Sequence, residues 1–377
     1  MDVMQNIQMV DLQSQYLRLK NEIDSAITTV LSSAKYINGP EVNQFATNLA
    51  QYLKVAHVIP VANGTDALQI ALMALGIGPG DEVITPDFTF IATVEAVALL
   101  GATPIMIDVK KDDFTLNETQ LEALIASRTK AIIPVHLFGQ CANMDAISLI
   151  AQKHNIAIVE DTAQALGSEF CGNKQSKAGT VGDIGCTSFF PSKNLGCFGD
   201  GGALFTNNDL LAEKMRSIAN HGSKIKYYHD TIGVNSRLDT VQAAVLDVKL
   251  KYLDDFNARR QKAATYYDNA FMNIENIVVP FRNRNSSHIF HQYTIRVLKG
   301  NNLELQKFLE KKGIPSMIYY PVPIHRQKAF GDHIVDSRNF PISNALSHEV
   351  ISLPMHTELS EQQQEYIVRN VISYFRQ

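Results

Sequence analysis

The sequence predicts an α/β protein with a mostly parallel central sheet covered by helices on both faces, followed by a smaller α+β unit. Three observations carry that expectation. Short apolar runs alternate with helical patterns from residue 56 to about 210, long helical patterns follow, and the character of the chain changes again after about 275. Repeated β-α-β units of this kind build parallel sheets.

Taken in order, residues 11–34 place Leu12, Tyr16, Leu19, Ile23, Ile27, Val30 and Leu31 at spacings of three and four, which predicts an amphipathic helix. Asn38-Gly39-Pro40 breaks it, and Val42–Leu53 resumes helical spacing. Strands are expected at His57–Ala62, Glu82–Thr85, Pro104–Ile107, Ala131–Val135, Ile156–Glu160 and Cys186–Phe190. Helices are expected between them at Asp66–Leu75, Thr89–Leu100, Glu118–Ala126 and Met144–His154. Two long helices follow, at about 208–220 and 238–270. A strand at Gln292–Val297, a helix at Leu303–Lys312 ended by Gly313, and a closing helix at Glu361–Phe375 complete the reading. The expected division is a large unit, 1–250, with the N-terminal helix included, and a linker helix plus small unit, 251–377.

The composition, at 377 residues with 45% hydrophobic and 19% charged, is that of a globular chain large enough for two domains. A net charge of −4 without a basic stripe gives no case for nucleic acid or an anionic membrane. The four cysteines, Cys141, Cys171, Cys186 and Cys197, lack metal-ligand spacing and read as reduced thiols; no metal is expected. Met1–Val10 carries Asp2, Gln5, Asn6 and Gln8 in place of a signal-peptide core, and no apolar run approaches ~20 residues. A soluble cytoplasmic protein is the expectation.

In an open α/β sheet the ligand crevice lies beyond the carboxyl ends of the strands, so the residues there are the candidates. Ala62-Asn63-Gly64-Thr65 follows a strand and opens a helix, whose free N–H groups suit a phosphate. Thr65 alone would read as a helix cap. Gly76-Ile-Gly78-Pro-Gly80 precedes a strand instead of following one, and reads as a turn. Phe90, in Pro86-Asp-Phe-Thr-Phe90, could stack on a flat ring or pack in a core. Asp161 ends the apolar strand Ile156-Ala-Ile-Val159, with Gln164 one turn on. A carboxylate there is costly unless paired, and either a protonated pyridine nitrogen or the following turn could be its partner. Ser188 lies five residues before Lys193, which glycines at 196, 199, 201 and 202 follow. A lysine at a strand end with small residues around it suits covalent amine chemistry. Together these are the parts of a pyridoxal 5'-phosphate site: a phosphate cradle, a ring stacker, an aspartate and a lysine. Asn235 and Arg237, before the helix at Thr240, could be caps and surface charge or could reach an anionic ligand.

Asn63-Gly-Thr-Asp-Ala-Leu68, Pro79-Gly-Asp-Glu-Val83, Glu160-Asp-Thr-Ala-Gln164, Ser188-Phe-Phe-Pro-Ser-Lys193 and Asn235-Ser-Arg-Leu-Asp-Thr240 resemble, in order, the DegT/StrS group of nucleotide-sugar aminotransferases. The resemblance implies the aspartate-aminotransferase-like fold, fold type I of the pyridoxal-phosphate enzymes, as a homodimer with shared sites. It makes Lys193 the cofactor lysine and acid/base, pairs Asp161 with the ring nitrogen, and puts Gln164 near the ring hydroxyl and Phe90 on the ring. Gly64, Thr65 and Ser188 hold the phosphate, with Asn235 reaching it from the partner subunit. Relatives acting as dehydratases replace the lysine by histidine; this chain keeps Lys193, which favours transamination.

Phe189-Phe-Pro-Ser-Lys-Asn-Leu-Gly-Cys197 and Gly233-Val-Asn-Ser-Arg-Leu-Asp239 most resemble the branch that aminates UDP-2-acetamido-2-deoxy-3-oxo-glucuronate at C3, with L-glutamate as donor, for cell-surface polysaccharide. On that resemblance Tyr36, Arg237, Tyr319 and Tyr320 contact the nucleotide sugar, and His325 is a further candidate. Amination of a dTDP-3-keto-6-deoxyhexose is the alternative within the family. A pyridoxal-phosphate-dependent sugar lyase or dehydratase, or a non-catalytic regulator binding the same cofactor, are the alternatives of another class.

Overall fold

The computed structural model describes residues 7–173, 175–298, 302–331 and 339–376; Met1–Asn6 of the N-terminal stretch lie outside them. Helices α1 (Leu12–Ser33) and α2 (Pro40–Leu53) lead into β1 (His57–Val61) and α3 (Gly64–Ala74). The alternation continues through β2 (Glu82–Pro86), α4 (Ala92–Leu99), β3 (Thr103–Ile107), α5 (Glu118–Leu121), β4 (Thr129–Ile132), α6 (Met144–His154) and β5 (Ala157–Asp161). A hairpin, β6 (Glu169–Cys171) and β7 (Gln175–Lys177), precedes β8 (Ile184–Ser188) and β9 (Gly202–Thr206). Then come α7 (Asp209–Ala219), the hairpin β10 (Ser223–Ile225) and β11 (Tyr228–His229), α8 (Thr240–Leu250) and α9 (Leu253–Phe271). The remaining segment holds β12 (Ile277–Val278), β13 (Tyr293–Val297), α10 (Asn302–Lys311), α11 (Pro341–Glu349), β14 (Val350–Leu353) and α12 (Glu361–Phe375).

The central sheet has seven strands in the order β1-β9-β8-β5-β4-β2-β3. Neighbours pair in parallel from β3 to β8, while β9 is antiparallel to both β8 and β1. The expected mostly parallel sheet is thus present, with one reversed strand that the sequence reading leaves as loop. Because β9 runs backwards, its first residue, Gly202, lies beside the last residues of β1 and β8, Val61 and Ser188. The apolar strands are buried between α3, α4 and α7 on one side and α2, α6 and α8 on the other, each helix burying a stripe of its own. Their burial is the main driving force for this layer.

The helix expected over 238–270 is two helices, α8 and α9, broken at Lys251–Tyr252. Apolar spacing continues through the break and no Gly or Pro marks it, so periodicity cannot see it. Helix α9 starts in one core, through Leu253, and ends in another, through Tyr267 and Phe271. That second core gathers Phe290, Tyr293, Ile295, Leu305, Ile351 and Ile367 around the three-stranded sheet β12-β13-β14. Helix α1 packs Leu19 and Ile23 against Val245, Val248 and Phe256, and also reaches the C-terminal segment through Arg18 to Glu358 at 2.8 Å. Among the described residues no helix is long and apolar enough to cross a membrane.

Gly202 lets the reversed strand come close to the loop after β1. A Cβ built there would stand 2.4 Å from the Asn63 carbonyl oxygen and 2.5 Å from its carbon, both backbone atoms that cannot swing away. Gly202→Ala should therefore cost about 1–3 kcal/mol by overpacking, read as a lower urea midpoint, and should weaken phosphate binding in the same variant.

Candidate active site

Five loops leave the carboxyl edge of the sheet and enclose a cavity of about 920 Å³. After β1, Asn63 caps α3, its side-chain oxygen accepting the Asp66 N–H at 2.8 Å, while Ala67 N–H reaches the Asn63 carbonyl at 3.2 Å. The cap is therefore Asn63 and not Thr65. This leaves Gly64 and Thr65 as the first residues of α3, where N–H groups lack intrahelical partners and favour an anion. A Cβ on Gly64 would fall 2.7 Å from the Ser188 Cβ, so the helix start and the end of β8 close on one another.

At the end of β5, Asp161 is buried, at 7% exposure. Its Oδ2 accepts from the Thr93 hydroxyl at 2.9 Å and its Oδ1 from Ala163 N–H at 3.1 Å. Each oxygen keeps a lone pair, so Asp161 both tops the following turn and can accept another donor from the cavity. Gln164 accepts from Phe138 N–H at 2.7 Å and donates to the Tyr320 hydroxyl at 3.2 Å.

After β8 the chain folds back on itself. Lys193 N–H donates to Phe190 O at 2.8 Å, Cys197 N–H to Phe189 O at 2.8 Å, and Phe189 N–H to Gly201 O at 2.7 Å. Gly196 is required in this turn, because a Cβ would lie 2.3 Å from Pro191 O. The loop is also braced from behind: Asn194 donates to Asn257 at 2.7 Å, and the buried Lys249 ammonium donates to Gly196 O at 2.6 Å. Lys193 enters the cavity from this turn. Removal of water pushes its amine down to about 8, against the opposing pull of the Asp161 carboxylate. A desolvated ammonium loses hydration that the neutral amine does not need, so a far larger share of Lys193 is free base near neutral pH than of a lysine in open solvent.

Phe90 is 56% exposed and faces the cavity, with its ring 6.3 Å from that of Tyr320, so it is not a core residue. Gly64, Thr65, Phe90, Asp161, Gln164, Ser188, Lys193, Tyr319 and Tyr320 all line the one cavity. Tyr36, Asn235, Arg237 and His325 do not line it. Tyr36 and Arg237 lie together instead at the α1–α2 corner, where Thr240 N–H donates to Tyr36 O at 3.0 Å and Arg237 joins Asn38 on a neighbouring concave surface. Asn235 is exposed on the same loop. His325 is bound to Asp87, Nδ1 to Oδ2 at 2.7 Å, and stacks on Phe340.

Three polar residues of the site escape the sequence reading. Thr93 supports Asp161 from α4, one turn after Thr89. His291 lines the cavity with its imidazole held neutral, because burial and then the charges of Lys193 and Arg260 push its pKa well below 6.5. Arg260, almost wholly buried, anchors that segment by donating to the Phe290, His291 and Met355 carbonyls. All three act through segments far apart in sequence, and the four-residue spacing of Thr89 and Thr93 is the one local signal that could have found any of them.

The layered sheet and the lysine–aspartate cavity at its carboxyl edge define a fold type I pyridoxal-phosphate enzyme. The chain belongs to the DegT/DnrJ/EryC1/StrS aminotransferase family, whose model matches residues 17–372. It is 47% identical to the UDP-2-acetamido-2-deoxy-3-oxo-D-glucuronate aminotransferase of Pseudomonas aeruginosa, over 94% of this chain and 96% of that one. It is 44% identical to a pleiotropic regulatory protein of Geobacillus stearothermophilus, over 98% and 99% of the two chains. Among solved structures, an aminotransferase of the same family from Brucella abortus superposes with a TM-score of 0.94 at 42% identity, covering 99% of this chain and 100% of that one.

The protein is an aminotransferase, and pyridoxal phosphate is its cofactor. The cavity fits it: a glycine-opened helix start for a phosphate, an enclosed carboxylate with spare acceptor capacity, and a desolvated amine. When bound, the cofactor supplies an electron sink for the carbanion that transamination requires. Lys193→Ala should keep cofactor binding measurable by equilibrium dialysis while amino transfer falls by about 10³-fold or more. Because only the neutral amine attacks, the rate at which cofactor-free protein takes up pyridoxal phosphate should rise with pH around a midpoint near 8. A midpoint near the ordinary lysine value would show that Lys193 is not desolvated.

Proposed function

We propose that the protein transfers the amino group of L-glutamate to C3 of a nucleotide-linked 3-keto sugar, with UDP-2-acetamido-2-deoxy-3-oxo-glucuronate as the first candidate. The observation that carries this reading is the desolvated Lys193 amine sharing one enclosed cavity with Asp161 and the start of α3. In it Lys193 moves the proton between the substrate carbon and the cofactor, and Asp161, supported by Thr93, accepts the ring N–H. Gly64, Thr65 and Ser188 hold the phosphate, Phe90 stacks on the ring, and Gln164 lies beside its hydroxyl. The 47% identity to the Pseudomonas aeruginosa enzyme supports the uronate as acceptor.

Tyr319 and Tyr320 form the sugar-facing wall of the cavity in this reading. Tyr36, Asn235 and Arg237 gather on a different face of the same protomer, an arrangement suited to completing the cavity of a second copy. The planar guanidinium of Arg237 is then available for a bidentate pair with the uronate carboxylate. A homodimer with shared sites, a cytoplasmic setting and a role in cell-surface polysaccharide belong to the same proposal. So does the division at 250/251, just before α9, which carries the chain from one core to the other. His325 stays a candidate near the sugar through the segment it holds.

The non-catalytic regulator that the sequence leaves open has behind it only the name of the Geobacillus relative, a pleiotropic regulatory protein. One experiment separates the two readings: purified protein, L-glutamate and a panel of UDP- and dTDP-linked 3-keto and 4-keto sugars. The expected result is a 3-amino UDP-sugar with one equivalent of 2-oxoglutarate. Product from dTDP sugars alone selects the family alternative. Failure of glutamate to convert the cofactor to its pyridoxamine form rules out glutamate as the amino donor.

A further inference from the structure

Asp87 has no solvent exposure, sits directly after β2, and makes no contact with the cavity. A buried carboxylate is costly without donors, so its partners show what it is for. They come from a segment more than two hundred residues away. His325 N–H donates to Oδ1 at 2.8 Å, His325 Nδ1 pairs with Oδ2 at 2.7 Å, and Ile324 N–H donates to the Asp87 carbonyl at 3.0 Å. Ile324 itself is buried against Val94, Met106 and Phe340.

The segment so held continues directly from the cavity wall. Upstream, Met317 exchanges two backbone hydrogen bonds with Ser352 of β14, at 3.1 and 2.7 Å, in the small unit. Downstream, Ile324 and His325 are fixed to β2 and its loop in the large unit. Tyr319 and Tyr320 lie between the two anchors. The residues after Asp87 face them: Phe88 meets Tyr320 at 5.9 Å and Phe90 meets it at 6.3 Å. One side chain therefore joins the two aromatic segments that flank the cavity, and the wall is a strut fixed at both ends.

We propose that Asp87 and His325 are positioning residues: their pair sets the spacing between the Phe90 segment and the Tyr319–Tyr320 wall, and through it the binding of the keto-sugar. This rests on the reading that the wall faces the sugar. The reacting groups stand on the sheet edge, and their direct braces, Thr93 and Ala163 N–H for Asp161 and the Asn194 and Lys249 contacts behind Lys193, make no hydrogen bond to Asp87 or His325. Glutamate is small and needs only that edge, whereas a nucleotide sugar must lie against the wall. The role is geometric: an amide at position 87 can still accept from His325 N–H and meet Nδ1 through the other imidazole tautomer.

The test compares Asp87→Ala, Asp87→Asn, His325→Ala and the double variant Asp87→Ala/His325→Ala as holoenzymes. His325 is partly exposed, so His325→Ala remains available where Asp87→Ala folds poorly. The expected result is a rise in keto-sugar KM of about 10-fold in either alanine variant, from loss of hydrogen bonds worth roughly 1–1.5 kcal/mol. Conversion of the cofactor by glutamate should stay within about 3-fold of the parent. Asp87→Asn should recover most of the loss, and the double variant should lose no more than the single ones, as coupled partners do. Equal losses in both half-reactions, or none in either, overturn the inference.

Amide hydrogen exchange decides it without any sugar. In cofactor-free and loaded Asp87→Ala alike, the Ile324–His325 amides should exchange about 10-fold faster while the Met317 amide is unchanged. Unchanged exchange at His325, or an equal rise throughout the small unit, overturns the inference. If the parent protein aminates no sugar on the panel, the proposed function falls, and the exchange result still decides whether the strut exists.

Discussion

An amine kept out of water opposite a carboxylate is the constraint on which this site depends. Lys193 must be held where it loses hydration, yet near enough to Asp161 that the lost hydration does not expel it from the fold. The two effects oppose one another in its pKa, and desolvation wins, with a result near 8. A lysine in open solvent at neutral pH would be almost wholly protonated and unable to take a proton. Much of the loop around Lys193 serves that placement: the backbone turn at Phe190, the glycine at 196, and the Asn194 and Lys249 contacts behind it.

The same logic extends one layer deeper. Glu160, next to Asp161 and wholly buried, accepts from Gly179, Val181 and Gly182 N–H at 2.6–2.9 Å and meets His136 Nε2 at 2.8 Å. Since Ala142 N–H donates to His136 Nδ1, the imidazole is neutral and gives its Nε2 proton to Glu160. One carboxylate thereby fastens the loop that enters β8 to the end of β5. The ends of those two strands carry Asp161 and Ser188, and Lys193 follows. A fully satisfied buried network of this kind rigidifies the elements around it.

The layered sheet was legible because buried parallel strands leave short apolar runs between helical patterns. Strand β9 was not, because its first residues continue a glycine-rich loop and its direction leaves no trace in composition. Segment 341–353 was also missed: α11 is short, and β14 follows it without a turn. In the site, Asp161, Ser188, Gly64 and Thr65 were readable because each ends a strand or opens a helix, and Lys193 because it follows a strand and precedes a glycine-rich stretch. Thr93, His291 and Asp87 were not, since their importance arises from contacts between distant segments. Tyr36 was picked out by resemblance alone, Asn235 and Arg237 also as polar residues before a helix, and a single protomer places all three away from its own cavity.

Two buried lysines, Lys193 and Lys249, are both pushed down to about 8 by burial, so either is chemically able to capture an aldehyde. Geometry separates them: Lys193 lines the cavity, while Lys249 donates to Gly196 O behind the loop. The most direct measurement is borohydride reduction of the pyridoxal-phosphate-loaded protein followed by peptide mapping. The structure predicts one stable pyridoxyl adduct, on Lys193. An adduct on Lys249 or on a surface lysine, with Lys193 unmodified, would contradict the assignment of the active site.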